Sequence, residues 1–136
     1  MDSNALNYLE KRGIGKGTIS EFKLGYVPYN SEFYKVISKK FSEKEIMETG
    51  LFFKDEKRNR FANRFNSRII FPIKNIVGDV IAFGGRIIKD GKYAKYINSP
   101  ETEFYKKGRH VFNLEKAKSF PKKNEEVIIV EGYMDV

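Results

Sequence analysis

The sequence predicts an α+β fold, in which short helices precede a small, mostly antiparallel sheet and one strand of the parallel type ends the chain. Three observations predict it. Apolar residues recur at helical spacing between glycine stops in the first 50 residues. Segments rich in Ile, Val and Phe, joined by short turns, fill the middle of the chain. A polar linker then leads to four consecutive Val and Ile residues, a pattern typical of a strand buried on both faces.

Two short helices are predicted at the start of the chain. Residues 3–12 carry apolar side chains on one helical face, begin at a polar cap (Ser3 or Asn4) and end at Gly13. Residues 17–24 form the second helix. Two short helices joined by a tight turn also leave open a helix-turn-helix DNA-binding motif.

Two more helices are predicted before the sheet. The apolar residues of segment 31–40 recur at helical spacing, and its predicted buried face consists of Phe33, Val36 and Ile37. Ser42 and Glu45 have the spacing of a capping box, which predicts a helix that begins there and ends at Gly50.

The character of the sequence then changes to strands. Four are predicted, at Leu51–Phe53, Arg68–Lys74, Asp79–Ile88 and Lys92–Tyr96. Asn75–Gly78 is short enough to connect the second and third as a hairpin. Residues 97–109 are predicted to form an ordered loop, and Leu114–Lys118 a short helix. Pro121–Glu126 is a polar linker, and Val127–Val130 is the predicted parallel strand.

The composition excludes several classes of site. The chain has 136 residues, which fits one domain, with no cysteine and one histidine, His110. A disulfide framework, a thiolate zinc site and a cysteine nucleophile are therefore excluded, and His110 alone leaves little room for a histidine-based triad. No uncharged apolar segment approaches the roughly 18 residues of a membrane helix, and no signal-like start is visible. We expect a soluble, cytoplasmic protein.

The positive charge is concentrated in the middle of the chain. The formal net charge is +8, and residues 54–110 hold 14 basic and 6 acidic residues, which accounts for all of it. A concentrated positive field attracts polyphosphate. Aromatic residues are interleaved with these bases, and single-stranded nucleic acid is bound by this combination of cations and flat rings. A solubilising basic surface over core aromatics is the alternative.

The end of the chain carries the most specific chemistry. Glu131 lies where the predicted strand Val127–Val130 ends, and ligands bind beyond the carboxyl ends of strands in open α/β sheets. Gly132 permits a sharp turn, after which Asp135 is able to point to the same region. Carboxylate oxygens suit Mg²⁺, which normally takes one or two of them with phosphate and water. A purely structural glutamate is the alternative.

Several sequence blocks carry a family resemblance. In chain order they are YLEKRGI (Tyr8–Ile14), FKLGYVP (Phe22–Pro28), RIIFPIKN (Arg68–Asn75), IAFGGR (Ile81–Arg86), KYINSPET (Lys95–Thr102), FYKKGR (Phe104–Arg109) and the ending EGYMDV. Together they resemble the N-terminal basic subdomain of the RNA-polymerase core of bacterial DNA primases, followed by the first motif of the Toprim domain. The resemblance assigns residues 1–122 to the basic subdomain and residues 123–136 to the truncated start of Toprim.

The resemblance implies a function. The family is a DNA-directed RNA polymerase that synthesises short RNA primers on single-stranded DNA beside the replicative helicase. Its full enzyme uses Mg²⁺ or Mn²⁺ and NTPs, carries zinc only in a separate amino-terminal module, and contacts the helicase through a carboxy-terminal domain. This fragment alone is expected to be inactive, because further acidic ligands lie on later Toprim strands. Alternatives are a non-catalytic single-stranded nucleic-acid-binding module, or another Toprim enzyme such as a phage primase–helicase or a topoisomerase.

The resemblance also assigns roles to single residues. It implies that Glu131 is a general acid/base or organises the metal site, with Glu131 and Asp135 as metal ligands. The implied positions for template, nucleotide or primer are Arg12, Arg86, Lys95, Tyr96, Asn98 and Lys107. We interpret the pair Gly84-Gly85 as letting the backbone approach a ligand, with a β-bulge as the alternative.

Overall fold

The computed structural model describes residues 1–29, 31–89, 91–118 and 126–136. Its helices are α1 (Ser3–Glu10), α2 (Lys16–Glu21), α3 (Phe33–Ile37), α4 (Glu43–Glu48) and α5 (Leu114–Ala117), with a 3₁₀ turn at Lys107–Arg109. Its strands are β1 (Gly25–Val27), β2 (Phe52–Asp55), β3 (Arg60–Asn63), β4 (Arg68–Lys74), β5 (Val80–Ile87) and β6 (Tyr96–Asn98). Within these described ranges, no helix is long and apolar enough to cross a membrane.

A four-stranded antiparallel sheet forms the centre of the molecule, in the order β1-β4-β5-β6. Strands β2 and β3 form a separate two-stranded hairpin. The predicted hairpin between β4 and β5 is confirmed, and Asn75 closes its turn by accepting from the N–H of Asp79 at 2.9 Å. The α+β class predicted from the sequence is therefore confirmed.

The predicted helix stops and the capping box are present. Gly13 and Gly50 adopt φ angles of +77° and +68°, in the left-handed region that favours glycine after a helix. Ser42 Oγ accepts from the N–H of Glu45 at 3.3 Å, and the Glu45 carboxylate accepts from the N–H of Ser42 at 2.7 Å. These features depend on neighbours within one turn, so the sequence pattern alone sufficed to predict them.

The predicted cap of α1 is wrong by one or two residues. Asp2, and neither Ser3 nor Asn4, supplies the acceptor, and its Oδ1 binds the N–H groups of Asn4 at 2.9 Å and Ala5 at 3.4 Å. A carboxylate is a charged acceptor, and it also complements the positive end of the helix dipole. These two effects favour Asp2 over the neutral side chains that follow it.

Helix α1 covers the central sheet and forms the main core with it. This core consists of Ala5, Leu9, Ile69 and Phe71, all fully buried. A smaller cluster of Ile73, Ala82 and Tyr105 lies further along β4 and β5. Tyr133, near the end of the chain, packs against both clusters. The carboxy-terminal turn is thereby attached to the central sheet.

Helix α3 packs only partly through the predicted face: the Phe33 ring centroid lies 5.7 Å from that of Phe52, and Ile37 is half-buried. Val36 was expected on the buried face but is 59% exposed. Tyr34 instead stacks on Phe61 at 4.8 Å between ring centroids and meets the edge of Phe52 at 5.4 Å. With five residues, α3 is too short for its own periodicity to decide which face is buried. The aromatic side chains of the β2–β3 hairpin decide it.

Two strands were not predicted, and a third is displaced. β1 and β3 have three and four residues and contain glycine, asparagine or arginine, so they show no alternating apolar pattern. They are strands because they pair with β4 and β2. The strand predicted at 92–96 lies instead at Tyr96–Asn98, where Tyr96 pairs with Arg86. The predicted loop 97–109 therefore begins as a strand, and it ends in a 3₁₀ turn.

The prediction of a buried parallel strand at Val127–Val130 is wrong for this structure. These four side chains are 39–88% exposed, and the segment is not part of a strand. A strand buried on both faces needs neighbouring strands and covering side chains, and the described residues provide neither for this segment. The predicted helix at Leu114–Lys118 is confirmed as α5, and residues 121–125 of the predicted linker lie outside the described residues.

Candidate functional site

Arg86 lies at the centre of the candidate site. It is on β5, directly opposite Tyr96 of β6, and only 4% of its surface is exposed. Its Nε donates to the hydroxyl of Tyr8 on α1. Its guanidinium lies 5.4 Å from the centroid of the Tyr8 ring and 4.8 Å from that of Tyr96. Two rings therefore hold this cation by cation–π attraction.

The surroundings keep Arg86 positively charged. Burial lowers the pKa of Arg86, but the hydrogen bond to Tyr8 and the electrostatic influence of Tyr96 and Tyr8 outweigh burial, so the pKa is raised above its ordinary value. Arg12 also contacts Tyr8, with its guanidinium 5.5 Å from the centroid of the Tyr8 ring. Tyr8 therefore joins two of the arginines that the sequence singled out.

Tyr133 connects the carboxy-terminal turn to this region. Its ring stacks on Phe71 at 5.2 Å and meets Phe112 edge-on at 4.9 Å. Its hydroxyl donates to Oδ1 of Asn98 at 2.7 Å. Burial raises the pKa of Tyr133 to about 12, so the phenol is a neutral donor at physiological pH. Tyr133 thus contacts the block that contains Tyr96 and Asn98.

The glycine pair of β5 has a packing role that differs from both interpretations made above. A Cβ on Gly84 would lie 2.6 Å from the Tyr133 ring, and one on Gly85 would lie 2.5 Å from Phe65. Pairing with β4 continues through both glycines, so they do not form a bulge. The absent Cβ atoms make room for two aromatic side chains of the protein itself.

Arg68 belongs to the basic stretch of residues 54–110 but is buried in the structure. It donates to the carbonyl oxygens of Ala94 at 2.9 Å, Gly85 at 3.2 Å and Lys95 at 3.3 Å. Burial lowers its pKa. Arg68 therefore holds residues 94 and 95 against the sheet, which fixes the backbone from which the Lys95 side chain extends.

The two predicted lysines are exposed. Lys95 immediately precedes Tyr96 in the chain, so it adjoins the Arg86 group. Lys107 lies in the 3₁₀ turn, where its backbone N–H donates to the carboxylate of Glu101 at 3.2 Å. No hydrogen bond or ion pair between described residues joins the Lys107 side chain to Arg86, Tyr96 or Asn98.

Glu131 and Asp135 lie at the exposed end of the described chain. The N–H of Asp135 donates to the carbonyl of Gly132 at 3.1 Å, which folds the Asp135 carboxylate back onto the Gly132 Cα. Hard carboxylate oxygens are the ligands that Mg²⁺ prefers. Among the described residues, however, no three acidic or histidine side chains are grouped to hold a metal. The role of Glu131 and Asp135 as metal ligands therefore stays a prediction.

Comparison with known families decides the membership of the chain. A model of the N-terminal domain of the DNA primase catalytic core matches residues 1–118. The chain belongs to this family. The resemblance seen in the sequence blocks is therefore confirmed. The match ends before Glu131, so the assignment of residues 123–136 to a Toprim domain stays a prediction.

Curated primases are similar to almost the whole chain. The DNA primases of Deinococcus radiodurans and Staphylococcus epidermidis are 41% and 42% identical to it over 134 residues, which is 97% of this chain. The chain spans only 23% and 22% of those two proteins. It therefore corresponds to less than a quarter of the length of these primases.

Solved primase structures have the same fold. The zinc-binding and RNA polymerase domains of the Aquifex aeolicus primase align with a TM-score of 0.88 and 36% identity, covering 98% of this chain and 33% of that one. A primase catalytic domain bound to single-stranded DNA aligns with a TM-score of 0.83 and 35% identity, covering 98% and 42%. Together with the family match, these structures confirm the mixed helix and strand architecture.

Sequence reasoning did not single out two residues of this candidate site. Tyr8 and Tyr133 fall inside the matching blocks YLEKRGI and EGYMDV, but neither was assigned a role. For Tyr8 a signal was present, because its spacing of four residues from Arg12 places the two side chains on one side of a helical turn. For Tyr133 the signal was Gly84, whose missing side chain leaves room for a neighbouring ring. The sequence does not identify that ring as Tyr133.

Proposed function

We propose that this chain is the part of a DNA primase that binds the single-stranded DNA template and the phosphates of NTPs. The observation that carries the proposal is the group around Arg86, a permanent cation held between the rings of Tyr8 and Tyr96. Proteins bind single-stranded nucleic acid with cations that contact its phosphates and aromatic rings that stack on its bases. The relative solved with single-stranded DNA supports the choice of template.

The proposed roles follow from the chemistry of each side chain. Arg12, Lys95 and Lys107 contact and neutralise phosphates, and the buried Arg86 adds positive potential from within the ring pair. Tyr96 offers a face for a base, since base–aromatic stacking tolerates any sequence. Asn98, which follows two residues later, donates amide hydrogens to phosphate or sugar oxygens.

In the whole enzyme we propose nucleotidyl transfer. The 3′-oxygen of the primer bonds to the α-phosphorus of an NTP, the bond from that phosphorus to the bridging oxygen of the β-phosphate breaks, and pyrophosphate leaves. Glu131 accepts the hydroxyl proton or orients the metal site with Asp135. A bound Mg²⁺ or Mn²⁺ supplies neutralisation of the phosphate charge. Two carboxylates do not complete such a site, so the 136-residue chain alone is expected to be inactive.

The remaining partners of the proposal belong to the whole protein. An RNA primer and the replicative helicase are expected partners, the latter through a separate carboxy-terminal domain, and zinc is expected only in an amino-terminal module. We expect this protein to act in the cytoplasm. Membership of the primase core family supports a primase over a topoisomerase or a non-catalytic nucleic-acid-binding module.

The test is a fluorescence anisotropy titration of this chain with a labelled single-stranded oligonucleotide at about 50 and 200 mM salt. With about three phosphate contacts, the affinity should fall roughly 20-fold between the two conditions. Lys95→Ala and Lys107→Ala should each weaken binding and reduce the salt dependence. Lys35→Ala, which removes an exposed charge on α3, is the matched control. An affinity indifferent to salt would contradict the proposal.

A further inference from the structure

Tyr133 lies between two groups of residues that the proposed function uses. In sequence it belongs to the turn that carries Glu131 and Asp135. In space its side chain contacts the block of the basic subdomain that contains Tyr96 and Asn98, with the Tyr96 ring centroid 6.1 Å away. The side chain therefore connects the acidic end of the chain to the predicted nucleotide-binding residues.

The packing around Tyr133 fixes its ring in one orientation. Phe71 covers one face at an interplanar angle of 16°, and Phe112 abuts the ring at 87°. Gly84 lies so close to the ring that even a Cβ there would overlap it. A ring confined on three sides has little freedom to rotate or shift, so its hydroxyl is held at a defined point.

Few other contacts with described residues attach the carboxy-terminal segment. Val127–Val130 is exposed, and both carboxylates of the turn face solvent. Between residues 126–136 and the rest of the described chain, the only hydrogen bond is the one from Tyr133 to Asn98. Met134 adds an apolar contact with the core. Among the contacts that the described residues make, those of Tyr133 therefore contribute most to the position of the turn.

The same hydrogen bond sets the orientation of the Asn98 amide. The Tyr133 hydroxyl donates to Oδ1, so the carbonyl end of the amide faces the tyrosine. The Nδ2 end, with its two N–H donors, then faces away from Tyr133. Oxygen atoms of a phosphate or a ribose accept such donors, whereas the carbonyl end would repel them.

We propose that Tyr133 is a positioning residue, which orients the Asn98 amide to donate to an NTP oxygen and holds the turn of Glu131 and Asp135 beside it. This inference rests on the proposed function, because it requires Asn98 to contact a nucleotide. Tyr133 itself touches no substrate in this arrangement. Its effect on nucleotide binding passes through Asn98.

The test is a double-mutant cycle in the full-length primase that contains this chain. Tyr133→Phe, Asn98→Ala and the double variant are compared for kcat and KM in NTP incorporation on a single-stranded template. Asn98→Ala should raise the KM for NTP about 5- to 10-fold, and Tyr133→Phe about 3-fold, which are the effects of lost and misoriented hydrogen bonds. The double variant should match Asn98→Ala, since the hydroxyl acts only through the amide. Tyr29→Phe, at an exposed tyrosine, is the control.

The outcomes separate this inference from the proposed function. If Asn98→Ala raises KM and Tyr133→Phe does not, the positioning role is wrong and the nucleotide site stands. If neither variant changes KM, the assignment of Asn98 to nucleotide binding fails, and the inference fails with it. If Tyr133→Phe lowers the melting temperature and kcat while KM is unchanged, Tyr133 has a packing role only, and the inference is overturned.

Discussion

Replacement of Gly84 by alanine should destabilise the protein through a single defined clash. The added Cβ would lie 2.6 Å from Cε2 and Cζ of Tyr133 and 2.9 Å from its hydroxyl oxygen. Ordinary contacts between such atoms are about 3.5–4.0 Å, so either the ring or strand β5 must move by about 1 Å. Phe71 and Phe112 confine the ring, so it cannot move without disturbing the core.

The expected magnitude combines two opposing effects. Overpacking of a well-filled core costs about 1–3 kcal/mol. Alanine also restricts the unfolded chain, which offsets about 0.4–1 kcal/mol of that cost. We therefore expect Gly84→Ala to lower the free energy of unfolding by about 1–2 kcal/mol. For a domain of this size the melting temperature should fall by about 4 °C per kcal/mol.

Thermal and urea denaturation, followed by far-UV circular dichroism, measures this change. Gly17→Ala is the matched control, because a Cβ at this position of α2 meets no atom within 4 Å, and alanine favours a helix by about 0.5–1 kcal/mol. The clash also predicts coupling, so that Gly84→Ala should cost much less in a Tyr133→Ala background. An unchanged melting temperature, or an equal cost in both backgrounds, would refute the reasoning.

Three further predictions concern stability. Arg68→Lys should cost about 2 kcal/mol in urea denaturation, because a lysine lacks the planar fork that binds three carbonyl groups from within the protein; a change below the error of the fit would contradict this. Ser42→Ala should cost about 1 kcal/mol by removing the acceptor for the Glu45 N–H. A melting temperature equal to that of the unsubstituted protein would argue against the cap. Burial raises the pKa of Tyr105 above its ordinary value of 10.0, so the unfolded state ionises first and stability should fall as the pH rises above 10. Denaturation at several pH values should show that the Tyr105→Phe variant loses stability less steeply than the unsubstituted protein. Tyr93→Phe, at an exposed tyrosine, should lose it as steeply as the unsubstituted protein. Equal slopes for Tyr105→Phe and the unsubstituted protein would exclude the effect.

The parts of the fold that could be predicted are those that depend on neighbours in the sequence. The capping box at Ser42, the glycine stop at Gly50 and the β4–β5 hairpin each involve residues a few positions apart. By contrast, β3 was missed because its sequence RFAN acquires strand geometry only by pairing with β2. The exposed Val127–Val130 shows the reverse case, in which an apolar pattern lacks the neighbouring strands that would bury it.

For the candidate site, too, the sequence indicated the residues but not the contacts between distant parts of the chain. The resemblance singled out Arg86, Tyr96 and Asn98, and the structure brings them together on adjacent strands. It did not give their supporting contacts, because Tyr8 lies 78 residues from Arg86 and Tyr133 lies 35 residues from Asn98. No local pattern encodes such distant contacts. The sequence therefore indicates which residues belong to the site, and only the structure shows the contacts that hold them in place.

The separation of the β2–β3 hairpin from the central sheet has a consequence for motion. The hairpin packs mainly on α3 and α4, with Tyr34 against the rings of Phe52 and Phe61. It shares no ladder of backbone hydrogen bonds with the four-stranded sheet. We therefore expect residues 52–63 to open as a small cooperative unit, so that their amide hydrogens exchange with solvent while β4, β5 and the residues around Arg86 stay in place.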